Sequence, residues 1–120
     1  MFSEAVLEHF KNPRNAGELP NADVTVEVSN PVCGDILRLA IRRDGDRAVE
    51  VRFLCRGCTT AIACASFLTE QMLGMPVAGW KEINADSISG ALGELPMATR
   101  HGAQLAADAL RALERALSSR

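Results

Sequence analysis

The chain has 120 residues, of which 48% are hydrophobic and 23% are charged, and its formal net charge at pH 7 is −2. A chain of this length is typical of one domain and buries a core without disulfides, which become necessary at about half this size. The small net charge excludes a large basic surface, so we expect neither nucleic acid nor an acidic membrane as a partner. Because there is no membrane-length apolar run and no signal-peptide pattern, we expect a cytoplasmic protein.

The first predicted elements are one short helix and three strands. Apolar residues recur at helical spacing from Val6 to Phe10, and Pro13 ends this helix. After a loop rich in Pro, Gly, Asn and Asp, three segments alternate apolar and polar residues as half-buried strands do. Between the second and the third, Asp44 and Gly45 form a strong hairpin signal. The residues expected to face inward are Val24, Val26, Val28, Leu37, Leu39, Ile41, Val49, Val51 and Phe53.

The hydrophobic period changes after Cys58. The segment TTAIACASFLTEQMLG is dense in small and apolar residues, which predicts a buried helix from about Thr60 to Gly74. VAGWKEI and DSISGAL predict two short helices, and a long amphipathic helix is expected from Met97 to Leu117. The order of one helix, three strands and further helices predicts an α+β fold, a three-stranded antiparallel sheet with helices packed on one face.

The four cysteines are consistent with a disulfide, a metal site, a reactive thiol or core filling. Thiols stay reduced in the cytosol, which disfavours the disulfide. In an antiparallel meander, the loop after the first strand and the end of the third strand lie at the same end of the sheet. This topology brings Cys33 and Asp35 close to Cys58. Cys58 also precedes a helix N-terminus, where the partial positive charge favours the thiolate that binds metal or attacks sulfur.

The remaining cysteines and the histidines carry weaker signals. Cys55 shares the alternation of the third strand, so a buried strand position is expected, and the spacing Cys55-x-x-Cys58 alone does not distinguish redox, zinc or structural roles. Cys64 lies far round the buried helix from Cys58 and is expected in the core. His9 is expected to be a surface or packing residue. His101, near the start of the last helix, is not by itself assigned as a ligand.

Several segments together resemble a known family: LEHFKNPRN, NPVCGD, GCTTAIACASFLTE, and LP followed by H and LAADAL. They are similar to the IscU/NifU N-terminal scaffold family for iron–sulfur cluster assembly, and the resemblance implies a single scaffold domain over residues 1–120. It implies an exposed site at one end of the sheet that holds a [2Fe–2S] cluster, iron or zinc. It also implies a cysteine desulfurase as the source of sulfur and apoproteins as recipients of the cluster.

The resemblance also implies a ligand set, and this chain departs from the family pattern in two places. Gly102 takes the place of the third family cysteine, and LPMATR replaces an LPPVK-like segment, so recognition by the dedicated chaperone is not implied. Cys55 is an additional ligand if the strand end bends. A set of two thiolates, a carboxylate and an imidazole suits zinc well and a cluster less. The four implied ligands are Cys33, Asp35, Cys58 and His101.

Three functions remain open at this point. The first is a scaffold or carrier that is not an enzyme. The second is a zinc-dependent persulfide acceptor, a sulfurtransferase, although the relatives that work this way carry an inserted segment that is absent here. The third is a degenerate paralogue that binds the desulfurase without chemistry. If the missing thiolate weakens cluster binding, Gly102→Cys should hold a cluster longer and be at least as stable as the parent.

Overall fold

The computed structural model describes residues 2–118, and it has the expected α+β fold with an antiparallel sheet in the order β1-β2-β3. Within these residues no helix combines the length and the apolarity that a membrane span needs. The elements are α1 (Glu4–Lys11), β1 (Val24–Asn30), β2 (Asp35–Asp44), β3 (Arg47–Arg56), α2 (Thr59–Leu73), a 3-10 helix (Val77–Glu82), α3 (Ala85–Ala91), a 3-10 turn (Met97–Thr99) and α4 (His101–Ser118).

The core lies between one face of the sheet and the two long helices. Helix α4 packs across β1 and β2, whereas α2 packs on β3 and α1 lies against α2. Trp80 is fully buried, and its indole N–H donates to the carbonyl oxygen of Met72 at 3.2 Å. Of the strand residues expected to face inward, Val26 and Val28 are partly buried, and the following are buried: Val24, Leu37, Leu39, Ile41, Val51 and Phe53.

The prediction that Val49 faces inward is wrong, because the β2–β3 register shifts at a bulge. Arg42 pairs with Glu50 and Arg43 pairs with Ala48, which leaves Val49 as the extra residue on β3. An extra residue reverses the alternation of side chains on one side of the bulge. Ala48 is therefore buried, and Val49 is 46% exposed.

Helix α1 buries Val6 as its apolar pattern indicates, but it does not bury Phe10. Phe10 is 39% exposed, whereas Val6 and His9 are buried against the rest of the molecule. His9 has a polar partner inside, since its Nδ1 lies 2.8 Å from the Oγ of the buried Ser66. Of the two alternatives that the sequence leaves open, a surface or a packing residue, the structure shows the packing residue. The hydrogen bond to Ser66 offsets the cost of burying the polar imidazole.

The last helix begins four residues later than predicted. Pro96 is followed by the 3-10 turn Met97–Thr99, and α-helical bonding starts where Gln104 N donates to Arg100 O. Leu110 and Leu113 lie in the core. The later start makes His101 the first residue of α4 and places it at the end of the sheet where β2 begins.

Candidate metal site

Three donor side chains meet at one end of the sheet, each from a different element. Asp35 is the first residue of β2, Cys58 precedes α2 directly after β3, and His101 begins α4. One donor atom of each lies within 4.8 Å of the other two. His101 Nε2 is 3.6 Å from Asp35 Oδ2 and 3.7 Å from Cys58 Sγ. Asp35 is buried, His101 is partly buried and Cys58 is exposed, so the group opens to solvent on one side.

Cys58 is held by the helix that follows it. Its backbone is extended and it forms the N-cap of α2, where its Sγ accepts a hydrogen bond from the amide of Ala61 at 3.4 Å. The N-cap position places the sulfur at the positive end of α2, beside the backbone N–H groups of its first turn. The hydrogen bond and the N-cap position thus hold the sulfur where it can bind a metal ion or attack an electrophilic sulfur.

Asp35 carries an unpaired oxygen that faces the other two donors. The residue is only 7% exposed, and its Oδ2 has no hydrogen-bond partner within the described chain. A Cβ added at Gly57 would lie 3.0 Å from Asp35 Cγ, so glycine is what lets the backbone approach this carboxyl group. A buried carboxylate oxygen without a donor is costly, and a bound cation removes that cost.

Cys33 lies close in sequence to this group but does not belong to the three-atom cluster. It is exposed on the turn between β1 and β2, and Gly34 beside it has a φ of +75°. The turn is fixed by Asn30, whose Oδ1 accepts hydrogen bonds from the amides of Val32 at 3.0 Å and Cys33 at 3.4 Å. The structure therefore brings together the side chains of three of the four predicted ligands, and metal binding by all four stays a prediction.

The other two cysteines are poorly suited to act as thiolates. Cys55 pairs with Leu37 in the sheet and is partly buried; burial, with Asp35 and Cys58 nearby, raises its pKa to about 11. Cys64 lies in the core as expected, and burial raises its pKa to about 12, with smaller contributions from Cys58 and Cys55. Both are thiols near neutral pH, and neither belongs to the three-atom cluster.

Gly102 is a packing residue, which the sequence argument missed. It is buried, and a Cβ built on it would lie 3.1 Å from both Cα and N of Ala61 and 3.2 Å from the carbonyl carbon of Thr60. A cysteine at this position meets backbone, so the expectation that Gly102→Cys is at least as stable needs correction. The run of small residues in α2, and Ala106 one turn after Gly102, are the sequence signals of such a close helix contact.

The family model described as the NifU-like N-terminal domain matches residues 1–118. The chain belongs to this family. The iron–sulfur cluster assembly scaffold protein IscU 1 of Archaeoglobus fulgidus is 41% identical over 111 residues, which cover 92% of this chain and 72% of that protein.

Two further comparisons are one with a related sequence and one with a solved structure. The zinc-dependent sulfurtransferase SufU of Bacillus subtilis is 36% identical over 77 residues, 64% of this chain and 52% of SufU. The N-terminal part of a NifU-like protein from Brucella abortus superposes with a TM-score of 0.78 over 98% of this chain and 94% of its own, at 17% identity. That last likeness confirms the fold alone, whereas the sequence matches confirm the family.

Proposed function

We propose that this chain is a scaffold or carrier for iron–sulfur cluster assembly that holds its metal at Asp35, Cys58 and His101. The observation that carries the proposal is the convergence of these three donors around a buried carboxylate oxygen with no hydrogen-bond partner among the described residues. Membership of the NifU-like N-terminal family supports cluster assembly as the process. Cys33, on the neighbouring exposed turn, is proposed as the fourth ligand.

The two distances from His101 to the other donors fit a single tetrahedral ion. Bonds of about 2.0–2.3 Å from zinc to nitrogen, oxygen and sulfur place neighbouring ligand atoms about 3.3–3.8 Å apart. His101 Nε2 lies 3.6 Å from Asp35 Oδ2 and 3.7 Å from Cys58 Sγ. Carboxylate, thiolate and imidazole together form a donor set that zinc and ferrous iron accept.

A [2Fe–2S] cluster is the more demanding occupant. It is held by four protein ligands that are usually all thiolates. With Cys33, this chain offers two thiolates, one carboxylate and one imidazole. Such a set holds a cluster less firmly than four thiolates do. Weaker binding suits a carrier, because a carrier must release its cluster to another protein. The sulfur is proposed to come from a cysteine desulfurase, and recipient apoproteins are proposed to receive the cluster.

A second candidate function is a zinc-dependent sulfurtransferase. It is favoured by a donor set that suits zinc and by the exposed thiol of Cys33 outside the three-atom cluster. The thiolate of Cys33 would attack the terminal sulfur of a desulfurase persulfide. A sulfur–sulfur bond forms on Cys33 as the persulfide bond breaks, and the desulfurase cysteine leaves as a thiolate. The similarity to SufU supports this alternative over part of the chain.

The test is to measure iron, zinc and acid-labile sulfide after anaerobic purification and after reconstitution with ferrous iron and sulfide. The parent is compared with Cys58→Ser and His101→Ala. Cys64→Ala is the matched control, because that thiol lies in the core outside the site. We expect metal in the parent and the control and at least a tenfold loss in both site variants, as loss of ligands predicts.

The outcomes separate the two functions. Iron with sulfide that is transferred to an apo-ferredoxin supports the scaffold. Zinc alone, with a persulfide detected on Cys33 after incubation with a cysteine desulfurase and cysteine, supports the sulfurtransferase. A parent that stays free of metal after reconstitution while remaining folded would overturn both.

A further inference from the structure

We propose that Gly102 is a positioning residue that sets the geometry of the site for a divalent cation such as Zn²⁺ or Fe²⁺. The inference rests on the proposed function, because it concerns the same three donors. Gly102 acts through its neighbour His101 by letting the first turn of α4 lie directly against the first turn of α2. It touches neither the ion nor the other ligands in this role.

The contact at Gly102 is with main-chain atoms. A Cβ there would lie 3.1 Å from Ala61 Cα, 3.1 Å from Ala61 N and 3.2 Å from the carbonyl carbon of Thr60. These separations are shorter than ordinary van der Waals contacts of about 3.5–4.0 Å between carbon atoms. Backbone in a helix cannot rotate away as a long side chain can, so a side chain at position 102 requires one helix to move.

Movement of either helix changes the distances that define the site. His101 is the residue before Gly102 at the start of α4, and Cys58 is the N-cap of α2, on the other side of the same contact. The amide of Ala61, against which Gly102 packs, also donates to Cys58 Sγ at 3.4 Å. Metal–ligand distances tolerate deviations of only about 0.2 Å. A shift of a few tenths of an ångström between α2 and α4 is therefore enough to weaken binding.

The same contact keeps the three donors close enough together to hold one ion. With α4 seated on α2, the three donor atoms form a triangle with every side within 4.8 Å. A single ion satisfies all three donors at once, whereas a [2Fe–2S] cluster spreads its ligands over two irons. A cysteine at position 102 would have to displace α4 before its sulfur could serve as an extra ligand. The glycine thus keeps the three donor atoms at separations that a single ion can bridge.

The experiment measures Co²⁺ and Zn²⁺ binding to the full chain carrying Gly102→Ala, the smallest change that adds a Cβ. Affinity is obtained from the visible absorption of bound Co²⁺ and from its displacement by Zn²⁺. We expect affinity for both ions to fall about 10- to 100-fold, the usual effect of disturbing the support of a metal ligand. Gly90→Ala is the matched control, since it lies in α3 and its Cβ would meet only Glu94 Oε1, at 3.7 Å. The control is expected to keep the parent's affinity.

A double-mutant cycle with His101→Ala tests whether Gly102 acts through the histidine. If it does, removing His101 costs much less affinity in the Gly102→Ala background than in the parent, and the Co²⁺ spectra of the two single variants become alike. Equal losses in both backgrounds would show that the two residues act independently and would overturn the proposal. An affinity of Gly102→Ala equal to that of the parent would also overturn it.

Folding is checked by circular dichroism before each titration. If Gly102→Ala is unfolded, the variant Gly90→Ala/Gly102→Ala is used, because alanine stabilises a helix relative to glycine. If that variant is unfolded too, Gly102 is a requirement of the core and the positioning role is rejected. A parent that binds neither Co²⁺ nor Zn²⁺ contradicts the proposed metal site itself, whereas a parent that binds and variants that bind equally contradict only the role of Gly102.

Discussion

His101 Nε2 lies 3.6 Å from Asp35 Oδ2, although the two residues begin different elements far apart in the chain. The contact joins the start of α4 to the start of β2, at the end of the sheet where Cys58 also lies. The distance is too long for a hydrogen bond, and Asp35 Oδ2 has no hydrogen-bond partner among the described residues. Asp35 Oδ2 is thus buried beside the imidazole of His101 without receiving a hydrogen bond.

This arrangement predicts opposite effects of Asp35→Ala on stability and on metal binding. The variant should lose at least about tenfold in Zn²⁺ affinity, because a ligand is removed. The metal-free variant should be as stable as the parent or gain about 1 kcal/mol, because an unsatisfied buried group is removed. Urea unfolding with and without chelator checks both. Asp108→Ala, at an exposed position on α4, should change neither property, and a metal-free Asp35→Ala clearly less stable than the parent would contradict the argument.

Alkylation should rank the four cysteines by exposure and pKa. Cys33 and Cys58 are exposed, whereas Cys55 is partly buried with a pKa of about 11 and Cys64 is buried with a pKa of about 12. With these raised pKa values, Cys55 and Cys64 are mainly thiols at pH 8. Iodoacetamide added to metal-free protein should modify Cys33 and Cys58 first and Cys64 only after unfolding. Peptide mass spectrometry over time measures the order, and early modification of Cys64 would contradict the buried position.

His9 should make the metal-free protein less stable as the pH falls. Its pKa is lowered from 6.5 by burial and by Arg14, with Glu70 and Glu8 acting in the opposite direction. The unfolded chain therefore binds the proton more readily, so stability is complete above pH 6.5 and decreases as the pH falls from 6.5 through the folded-state pKa. Urea midpoints between pH 7.5 and 5.5 should fall more steeply for the parent than for His9→Gln. Parallel curves would mean that other groups cause the pH dependence.

The bulge on β3 predicts unequal costs for two neighbouring valines. Val51→Ala should cost about 1–3 kcal/mol of unfolding free energy, since Val51 is fully buried and its methyl groups leave a cavity. Val49→Ala should stay within about 0.5 kcal/mol, because Val49 is 46% exposed. Denaturant unfolding of the two variants measures the difference. Equal losses of unfolding free energy would contradict the bulge and favour the unbroken alternation that the sequence alone predicts.

The elements of the fold were predictable where local pattern and burial agree. The alternation of Leu37, Leu39 and Ile41 and the apolar run of α2 both lead to the observed elements. The pattern failed at Val49, because a bulge depends on the pairing of two strands, and at Phe10, because the face of α1 that is buried is set by α2. Such errors arise from tertiary contacts that no local period encodes.

The site was predictable to the same limited extent. Strand topology alone brings Asp35 and Cys58 to one end of the sheet, whereas His101 was assigned as a ligand only through the family resemblance. The start of α4 at His101 depends on the 3-10 turn before it, and the role of Gly102 depends on how closely two helices pack. These distances are properties of the packed structure, so sequence reasoning could name the residues without supplying the geometry.

The glycine before Cys58 should be required for metal binding rather than for folding alone. A Cβ at Gly57 would lie 3.0 Å from Asp35 Cγ and 3.2 Å from Asp35 Oδ2, so Gly57→Ala should push the carboxyl group and weaken Zn²⁺ binding by about tenfold or more. Gly45 is the matched control at the β2–β3 hairpin: it has a φ of +63° and nothing within 4 Å of its added Cβ.

Gly45→Ala should therefore cost about 1–2 kcal/mol in stability through backbone strain and leave Zn²⁺ affinity unchanged. Gly57→Ala, in contrast, should mainly lower Zn²⁺ affinity. Calorimetric titration with Zn²⁺ and urea unfolding of both variants separate the two effects. If Gly57→Ala binds Zn²⁺ as the parent does, Asp35 either moves without cost or is not a ligand. Asp35→Ala in the same titration then decides between these, since only a true ligand loses affinity when its carboxyl group is removed.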